Sequence, residues 1–167
     1  MQFCLGCRIG EVRGLCWDSV DFDRRQISIH RELVDDEDGT PILKDHTKSG
    51  LQAGNRVLPM SDRAERVLRT IPRLADDKSL IFLRDFKPIR TQTVNDHLRS
   101  ACRTLGIRYL STHKIRAWAI TEALAAGMDQ ITVMHMAGHA NSQTMQHYIR
   151  GSRIKKDLEA NYKAVFD

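Results

Sequence analysis

The sequence has no long apolar run, no internal repeat and no low-complexity tract. A membrane-spanning helix needs about 20 consecutive apolar residues, and the longest apolar runs here are far shorter. No charged stretch followed by an apolar one marks a secretory signal at the start of the chain. We therefore expect a protein without a membrane span, in a reducing, cytoplasmic compartment.

The sequence also has few residues that could build a metal site. Cys4 and Cys7 have CxxC spacing, but no second cysteine pair completes a tetrahedral zinc site. His135 and His139 are four residues apart, but Gly138 interrupts their helix and the sequence shows no third ligand nearby. We predict no metal.

What is present fits one folded domain. The chain has 167 residues, of which 41% are hydrophobic and 28% charged, and this is ordinary for a globular domain that buries a core. Lysine and arginine number 26 against 21 aspartates and glutamates, which gives a net charge of +5. This modest basic excess favours a polyanionic partner.

The hydrophobic pattern divides the chain near Ser61. Before it we predict a helix over 1–16 and three antiparallel strands, at 26–30, 41–47 and 56–60. An acidic hairpin loop at 35–39 and a polar turn at 48–55 join them. After it we predict six helices, at 61–73, 91–105, 112–127, 129–137, 141–149 and 153–164, with Ser61, Thr91 and Thr112 as caps. The expected fold is α+β, a single mainly helical domain with a small antiparallel three-stranded sheet near its N-terminal side.

Several polar residues could take part in a reaction, although each could also be an ordinary surface or loop residue. His113 and Arg116 are three apart at the start of a predicted helix, where backbone N–H groups favour an anion; alone they could be a solvated face. Arg8 and Glu11 could be a surface ion pair, and Lys48 an ordinary loop lysine.

The region after helix 129–137 contributes two further candidates. Gly138 is expected to end that helix in the left-handed conformation, which places His139 at a tight corner. Tyr148 follows about two turns into the next helix. A tyrosine is most often part of a core, but the polar neighbours of Tyr148 make complete burial less expected.

The order and spacing of these residues resemble the catalytic domain of tyrosine recombinases, the phage integrases. The resemblance covers essentially the whole chain. It rests on four segments: Gly6-Cys7-Arg8-Ile9-Gly10-Glu11-Val12-x-x-Leu15-x-Trp17, Thr47-Lys48-Ser49 followed by Arg56-Val57-Leu58-Pro59, His113-x-x-Arg116, and the nine-residue step from His139 to Tyr148. Leu5 and Cys7 vary mildly from the family's pattern.

The resemblance implies a domain organisation. The family's catalytic domain normally has a helix or more before its first arginine, preceded by a separate DNA-clamping domain. We therefore expect residues 1–167 to be an integrase-type catalytic domain that is truncated at its N-terminus and lacks the N-terminal core-DNA-binding domain.

The resemblance further implies a site-specific recombinase or integrase of a mobile element, acting on double-stranded DNA. Tyr148 would attack the scissile phosphate and form a 3′-phosphotyrosyl link. His113 would be the general base, and Lys48 would protonate the departing 5′-oxygen.

The remaining catalytic residues would stabilise charge. Arg8, Arg116 and His139 would donate to the non-bridging phosphate oxygens, since fixed cations lower such a barrier most. Glu11 would orient Arg8 or a neighbouring cation. Because the arginines supply the charge and the ester keeps the phosphodiester energy, no cofactor is expected.

Two surface features and three alternatives stay open. Arg84, Lys87 and Arg90 form a basic loop that contacts DNA phosphates or is simply a solvated charge run. The segment 150–167 packs on its own domain or on a neighbouring protomer, which would assemble a tetramer on DNA.

The alternative functions are a type IB topoisomerase-like enzyme, a non-catalytic DNA-binding remnant of an integrase, and a helix-turn-helix regulator.

Overall fold

The structure is a computed structural model, and it describes residues 1–47, 54–74, 76–138 and 148–149. In this part of the chain, six α-helices and seven short strands are present. The helices are α1 (Gln2–Leu5), α2 (Ile9–Arg13), α3 (Asp62–Arg69), α4 (Thr91–Thr104), α5 (Thr112–Ala125) and α6 (Gln130–Ala137). The predicted helix 153–164, most of 141–149 and most of the turn 48–55 lie outside the described residues.

The N-terminal region corrects the prediction of one helix over 1–16. It contains two short helices, α1 and α2, because Gly6 takes the left-handed conformation with φ 62° and ends α1. A Cβ at Gly6 would also lie 2.9 Å from Cε of Met136, so that a side chain here would require the end of Met136 to shift. The chain then turns, and Arg8 stands in an extended conformation immediately before α2.

Three strands form an antiparallel sheet, although they are not the three that the sequence predicts. The sheet has the order β1 (Val20–Asp21), β2 (Gln26–Ile29), β5 (Arg56–Pro59). The prediction is right for 26–30 and 56–60, which pair with each other. A strand is also present in the range 41–47, but β4 (Pro41–Lys44) is shorter than predicted, and it pairs with β3 (Glu32–Asp35) in a separate hairpin around the acidic loop instead of joining the three-stranded sheet.

Ser61 caps α3 as predicted, since its side chain accepts a hydrogen bond from the backbone N–H of Ala64 at 3.2 Å. This helix ends at Arg69, four residues earlier than predicted. A two-stranded hairpin follows, made of β6 (Leu83–Arg84) and β7 (Lys87–Pro88).

The caps predicted at Thr91 and Thr112 are wrong: a residue of another element caps α4, and the preceding residue caps α5. Asp35 of β3 accepts the backbone N–H of Thr91 at 2.9 Å, so a distant carboxylate caps α4. At α5 the cap is Ser111, whose side chain accepts from Lys114 N at 3.4 Å.

Two apolar clusters hold these elements together. The larger lies between α1, α2, the three-stranded sheet and α3, with Leu5, Val12, Ile27, Leu58 and Leu68 among its buried members. The smaller joins α5 and α6 through Ile120, Val133 and Ala137, with Tyr148 and Ile149 packed against it. The fold is mainly helical with small antiparallel sheets, as predicted. Among the described residues, no helix has the length and apolar character needed to cross a bilayer.

Candidate active site

The C-terminal end of α6 receives hydrogen bonds from three arginines of distant parts of the chain. Three successive carbonyls accept them: Met136 O from Arg56 Nε at 2.9 Å, Ala137 O from Arg116 Nη2 at 2.8 Å, and Gly138 O from Arg8 Nη1 at 3.1 Å. The last carbonyls of a helix have no intrahelical partner and carry partial negative charge. This helix end therefore gathers the three guanidinium groups, which we call the arginine cluster, into one place.

Glu11 lies inside the arginine cluster and is fully buried. Its carboxylate accepts two bonds from Arg56, at 2.9 and 3.3 Å, and one from Arg8 Nη1 at 3.2 Å. Arg116 Nη1 is 3.9 Å from Oε2 of Glu11. Three guanidinium groups against one carboxylate leave a local surplus of two positive charges.

The acid–base properties of the buried groups reflect this imbalance. Burial alone would raise the pKa of Glu11, but hydrogen bonds and charge from Arg56, together with those from Arg8, lower it below its usual 4.5. Burial, followed by the repulsion of Arg8, lowers the pKa of Arg116 to about 10. A bound anion would relieve that repulsion.

Local structure explains how Arg8 and Glu11 come together. Arg8 is the residue before α2, and its backbone N–H donates to Oε2 of Glu11 at 2.8 Å. The carboxylate thus satisfies one of the unpaired N–H groups at the helix start. The Arg8 side chain is 28% exposed, in contrast to the buried side chain of Glu11. Arg8 is therefore the member of this pair that solvent or a ligand can reach.

Arg116 reaches the arginine cluster from α5. It is buried, and its Nη1 donates to the carbonyl of Gly6 at 2.9 Å. Gly6 offers this carbonyl because it ends α1. The end of α1 at Gly6, which the sequence did not predict, therefore supplies one of the carbonyls that bind Arg116.

His113 lies in the first turn of α5 and is exposed. It lies one turn before Arg116 in the same helix. His113 is therefore an exposed residue near the start of α5, in contrast to the buried Arg116.

Tyr148 is half-buried and helical. It packs against the small cluster of Ile120, Val133 and Ala137 between α5 and α6. Ala137 is also the residue whose carbonyl binds Arg116. Tyr148 therefore packs against the same small cluster that contains Ala137, the residue whose carbonyl binds Arg116.

Lys48 and His139 lie outside the described residues, but their neighbours do not. Thr47 is fully buried, and a Cβ on Gly54 would fall 1.6 Å from its Oγ1, so the segment carrying Lys48 begins and ends at adjacent points. His139 follows Gly138, which has the predicted left-handed conformation with φ 65°.

Arg56 is a site residue for which the sequence analysis predicted no role. It is the first residue of β5, whose residues are alternately buried and exposed, and it occupies a buried position. A charged side chain at an inward position of a strand requires a buried partner. The alternation in Arg56-Val57-Leu58-Pro59 could have indicated that Arg56 faces inward, but it could not have indicated which group pairs with Arg56.

The basic residues of the β6–β7 region lie apart from this cluster. Arg84, Lys87 and Arg90 are all exposed. Arg84 Nη1 is 3.5 Å from Nε2 of His97. The residues that the structure describes contain no group of three or more histidines, cysteines or acidic residues placed to hold a metal.

Comparison with known proteins gives one consistent result. The chain is 27% identical to the tyrosine recombinase XerC of Corynebacterium glutamicum over 98% of its length and 48% of that protein. It is also 27% identical to the transposase from transposon Tn916 of Enterococcus faecalis, over 86% of the chain and 39% of that protein. The chain thus spans less than half the length of these relatives.

Solved structures agree on the fold. The Tn1549 transposon integrase in complex with a circular intermediate DNA superposes with a TM-score of 0.75 at 18% identity, over 93% of this chain and 55% of that one. The XerA recombinase superposes with a TM-score of 0.71 at 19% identity, over 96% of this chain and 55% of that one.

The sequence pattern of the phage integrase family matches residues 1–153. With this match over most of its length, the chain belongs to the phage integrase family.

Proposed function

We propose that this chain is the catalytic domain of a site-specific recombinase that cleaves and rejoins DNA strands through a 3′-phosphotyrosyl intermediate. The observation that carries the proposal is the arginine cluster, which has two positive charges in excess of its single carboxylate. The domain would act in the cytoplasm on double-stranded DNA. Structural neighbours solved with DNA, such as the Tn1549 integrase, support that partner.

Charge stabilisation is the step that this geometry suits best. A phosphodiester under attack gains charge on its non-bridging oxygens, and preorganised donors lower the barrier by stabilising that charge. Arg8 and Arg116 would bind these oxygens, with His139 as a further donor beside Gly138. The fixed helix end and the buried Glu11 hold the arginines before DNA arrives, so little reorganisation is needed during reaction.

Tyr148 would supply the nucleophile. Its phenolic oxygen attacks the scissile phosphorus, a new phosphorus–oxygen bond forms, and the bond to the 5′-oxygen breaks. A phenol is protonated at neutral pH, so a base is required; His113 would take that proton, and Lys48 would give one to the departing oxygen. Attack by a 5′-hydroxyl reverses these steps. The ester keeps the phosphodiester energy, so rejoining would need no nucleotide cofactor, and the arginines would supply the positive charge in place of a metal.

Binding outside the site would involve other parts of the protein. Arg84, Lys87 and Arg90 would contact phosphates, which position the DNA without reading its sequence. Residues 150–167 would link protomers into a tetramer on DNA. As an integrase-type catalytic domain, residues 1–167 would work with a DNA-clamping domain of the kind that precedes this domain in the family.

The decisive experiment is covalent trapping on suicide DNA that carries candidate attachment sites. Wild-type protein should form a protein–DNA adduct that survives denaturation. Tyr148→Phe should bind the same DNA and form none. The control is Tyr109→Phe, since the Tyr109 hydroxyl is 3.4 Å from Oδ1 of Asn95 and away from the arginine cluster.

Other outcomes would separate the alternatives. An adduct in Tyr148→Phe would assign the nucleophile elsewhere. Relaxation of supercoiled DNA without a defined site would favour a topoisomerase-like enzyme. DNA binding by wild-type protein without any adduct would favour a non-catalytic remnant.

A further inference from the structure

Arg56 contacts four other residues in and around the arginine cluster, although it is buried too deeply to meet DNA. Its side chain is fully buried. The guanidinium donates to both oxygens of Glu11, to Met136 O at 2.9 Å and to Gly54 O at 2.8 Å, and it contacts Sγ of Cys7 at 3.3 Å. Burial raises the pKa of the Cys7 thiol to about 12, so this neighbour is neutral.

Each charged or backbone partner of Arg56 adjoins a residue that the proposed reaction needs. Glu11 orients Arg8. Met136 lies in the last turn of α6, shortly before His139. Gly54 is the first described residue after the segment that carries Lys48.

Gly138 packs directly on the same guanidinium. A Cβ at Gly138 would lie 2.6 Å from Nη1 and 2.9 Å from Cζ of Arg56. Arg56 cannot easily retreat, because its partners hold it on several sides. The end of α6 is therefore in contact with Arg56 through both a hydrogen bond and close backbone packing.

We propose that Arg56 is a positioning residue, which holds Glu11, the end of α6 and the base of the Lys48 segment in one arrangement. This inference rests on the proposed function, because the positioned groups are those of the DNA-cleavage reaction. Arg56 does not touch DNA in this account.

A second consequence concerns charge. Arg56 donates to both oxygens of Glu11, so this carboxylate depends less on its contacts with Arg8 and Arg116. Without Arg56, the buried carboxylate would depend on these two arginines alone, and a buried carboxylate without partners is unfavourable. Arg56 thereby keeps the positive charge of Arg8 and Arg116 available to a phosphate.

The test compares Arg56→Ala with Arg13→Ala. Arg13 is also a buried arginine with carbonyl and carboxylate partners, but it lies away from Glu11. Both variants of the full chain are assayed with suicide DNA at saturation, and rates are expressed per folded molecule. Arg56→Ala should cleave on the order of 10²-fold more slowly, as expected for displaced catalytic groups. Arg13→Ala should stay within about threefold of wild type.

Three further readouts distinguish positioning from other roles. The dissociation constant for DNA should change less than about threefold in Arg56→Ala, because only the reaction step is affected. Guanidinium ion at about 10 mM should restore part of the Arg56→Ala rate by filling the vacated donor site. Gly138→Ala, which pushes on the guanidinium from the other side, should also slow cleavage with DNA affinity retained.

The inference is overturned if folded Arg56→Ala cleaves at the wild-type rate, or if its DNA affinity falls in proportion to its rate. Where the alanine variant does not fold, Arg56→Lys carries the same test, because lysine keeps the charge but cannot bond both carboxylate oxygens as a fork. If wild-type protein forms no adduct, the proposed function fails. If wild type forms one and Arg56→Ala forms it equally fast, only the positioning role fails.

Discussion

Two buried arginine sites lie on opposite sides of α2, and they differ in their balance of charge. Arg13, at the end of α2, forms an ion pair with Asp35 and donates to Ile89 O at 2.6 Å and Leu33 O at 3.2 Å. It thereby joins α2 to β3 and to the start of α4. One guanidinium meets one carboxylate, and the two charges cancel.

The arginine cluster at the start of α2 contains the same kinds of bond but a different sum of charges. Glu11 is its one carboxylate, and Arg8, Arg56 and Arg116 all approach it. A charge surplus in a buried place is unfavourable unless an anion completes it. A structural arginine and a ligand-binding arginine can therefore be equally buried and hydrogen-bonded. The property that distinguishes the two sites is the uncompensated positive charge of the arginine cluster.

The largest expected effect comes from removing the single carboxylate of each site. Glu11→Gln should lower the free energy of unfolding by about 3–5 kcal/mol, because it leaves three buried or half-buried cations together. Asp35→Asn should cost about 1–3 kcal/mol, since one cation remains and the amide oxygen still accepts. Urea unfolding measures both. Inorganic phosphate should restore more stability to Glu11→Gln than to Asp35→Asn, and equal recovery would contradict the comparison.

Removing Arg8 should separate catalysis from stability. Arg8→Ala should slow adduct formation by about 10²–10³-fold, as for other lost charge-stabilising donors. Because its side chain is 28% exposed, its ion pair should contribute no more than about 1 kcal/mol to the free energy of unfolding. Single-turnover cleavage and urea unfolding on the same preparation check both numbers. A large stability loss with unchanged cleavage would make Arg8 structural.

Removing Arg13 should give the opposite result. Arg13→Met should lower the free energy of unfolding by about 2–4 kcal/mol, since Asp35 loses its partner while its side chain keeps some contact with water. Cleavage per folded molecule should stay within about threefold of wild type. A rate loss comparable to that of Arg8→Ala would show that the two sites are coupled through α2.

The difference between the two sites also marks how far the sequence allowed prediction. Local signals sufficed for the Ser61 cap, the left-handed Gly138 and the presence of strands at 26–30 and 56–60. Each depends on residues a few positions apart or on a simple alternation. Motif spacing also located Arg8, Glu11 and Arg116, which the structure brings together.

What the sequence did not predict depends on distant partners. Arg56 acquires its role from Met136, 80 residues away, and Arg8 binds Gly138, 130 residues away. The break at Gly6 matters because Arg116 binds its carbonyl across 110 residues. No periodicity in the chain encodes such pairs, so a single sequence shows the charged residue but not the group that completes it.

Acid should affect the arginine cluster through Glu11. The pKa of Glu11 is lowered in the folded protein, so its stabilising contribution is fully present above its usual value of 4.5 and is lost as pH falls through the folded-state pKa. The free energy of unfolding should therefore fall more steeply below pH 4.5 in wild type than in Glu11→Gln. Urea titrations at a series of acidic pH values measure the slopes. Parallel slopes would mean that Glu11 is not ionised in the folded cluster.

The smallest effects should come from the exposed basic residues of the β6–β7 region, where the ion pair between Arg84 and Asp85, at 3.8 Å, is itself exposed. Arg84→Gln and Lys87→Gln should each weaken DNA binding equally for all sequences. Each should also reduce the slope of log affinity against log salt by about one, because one phosphate contact releases about one counterion. Fluorescence anisotropy between low and moderate salt measures this slope. Arg63→Gln is the matched control, since Arg63 is exposed but lies over the ring of Phe3 in another part of the surface. An equal change of slope in the control would show that overall net charge, rather than the β6–β7 hairpin, governs DNA affinity.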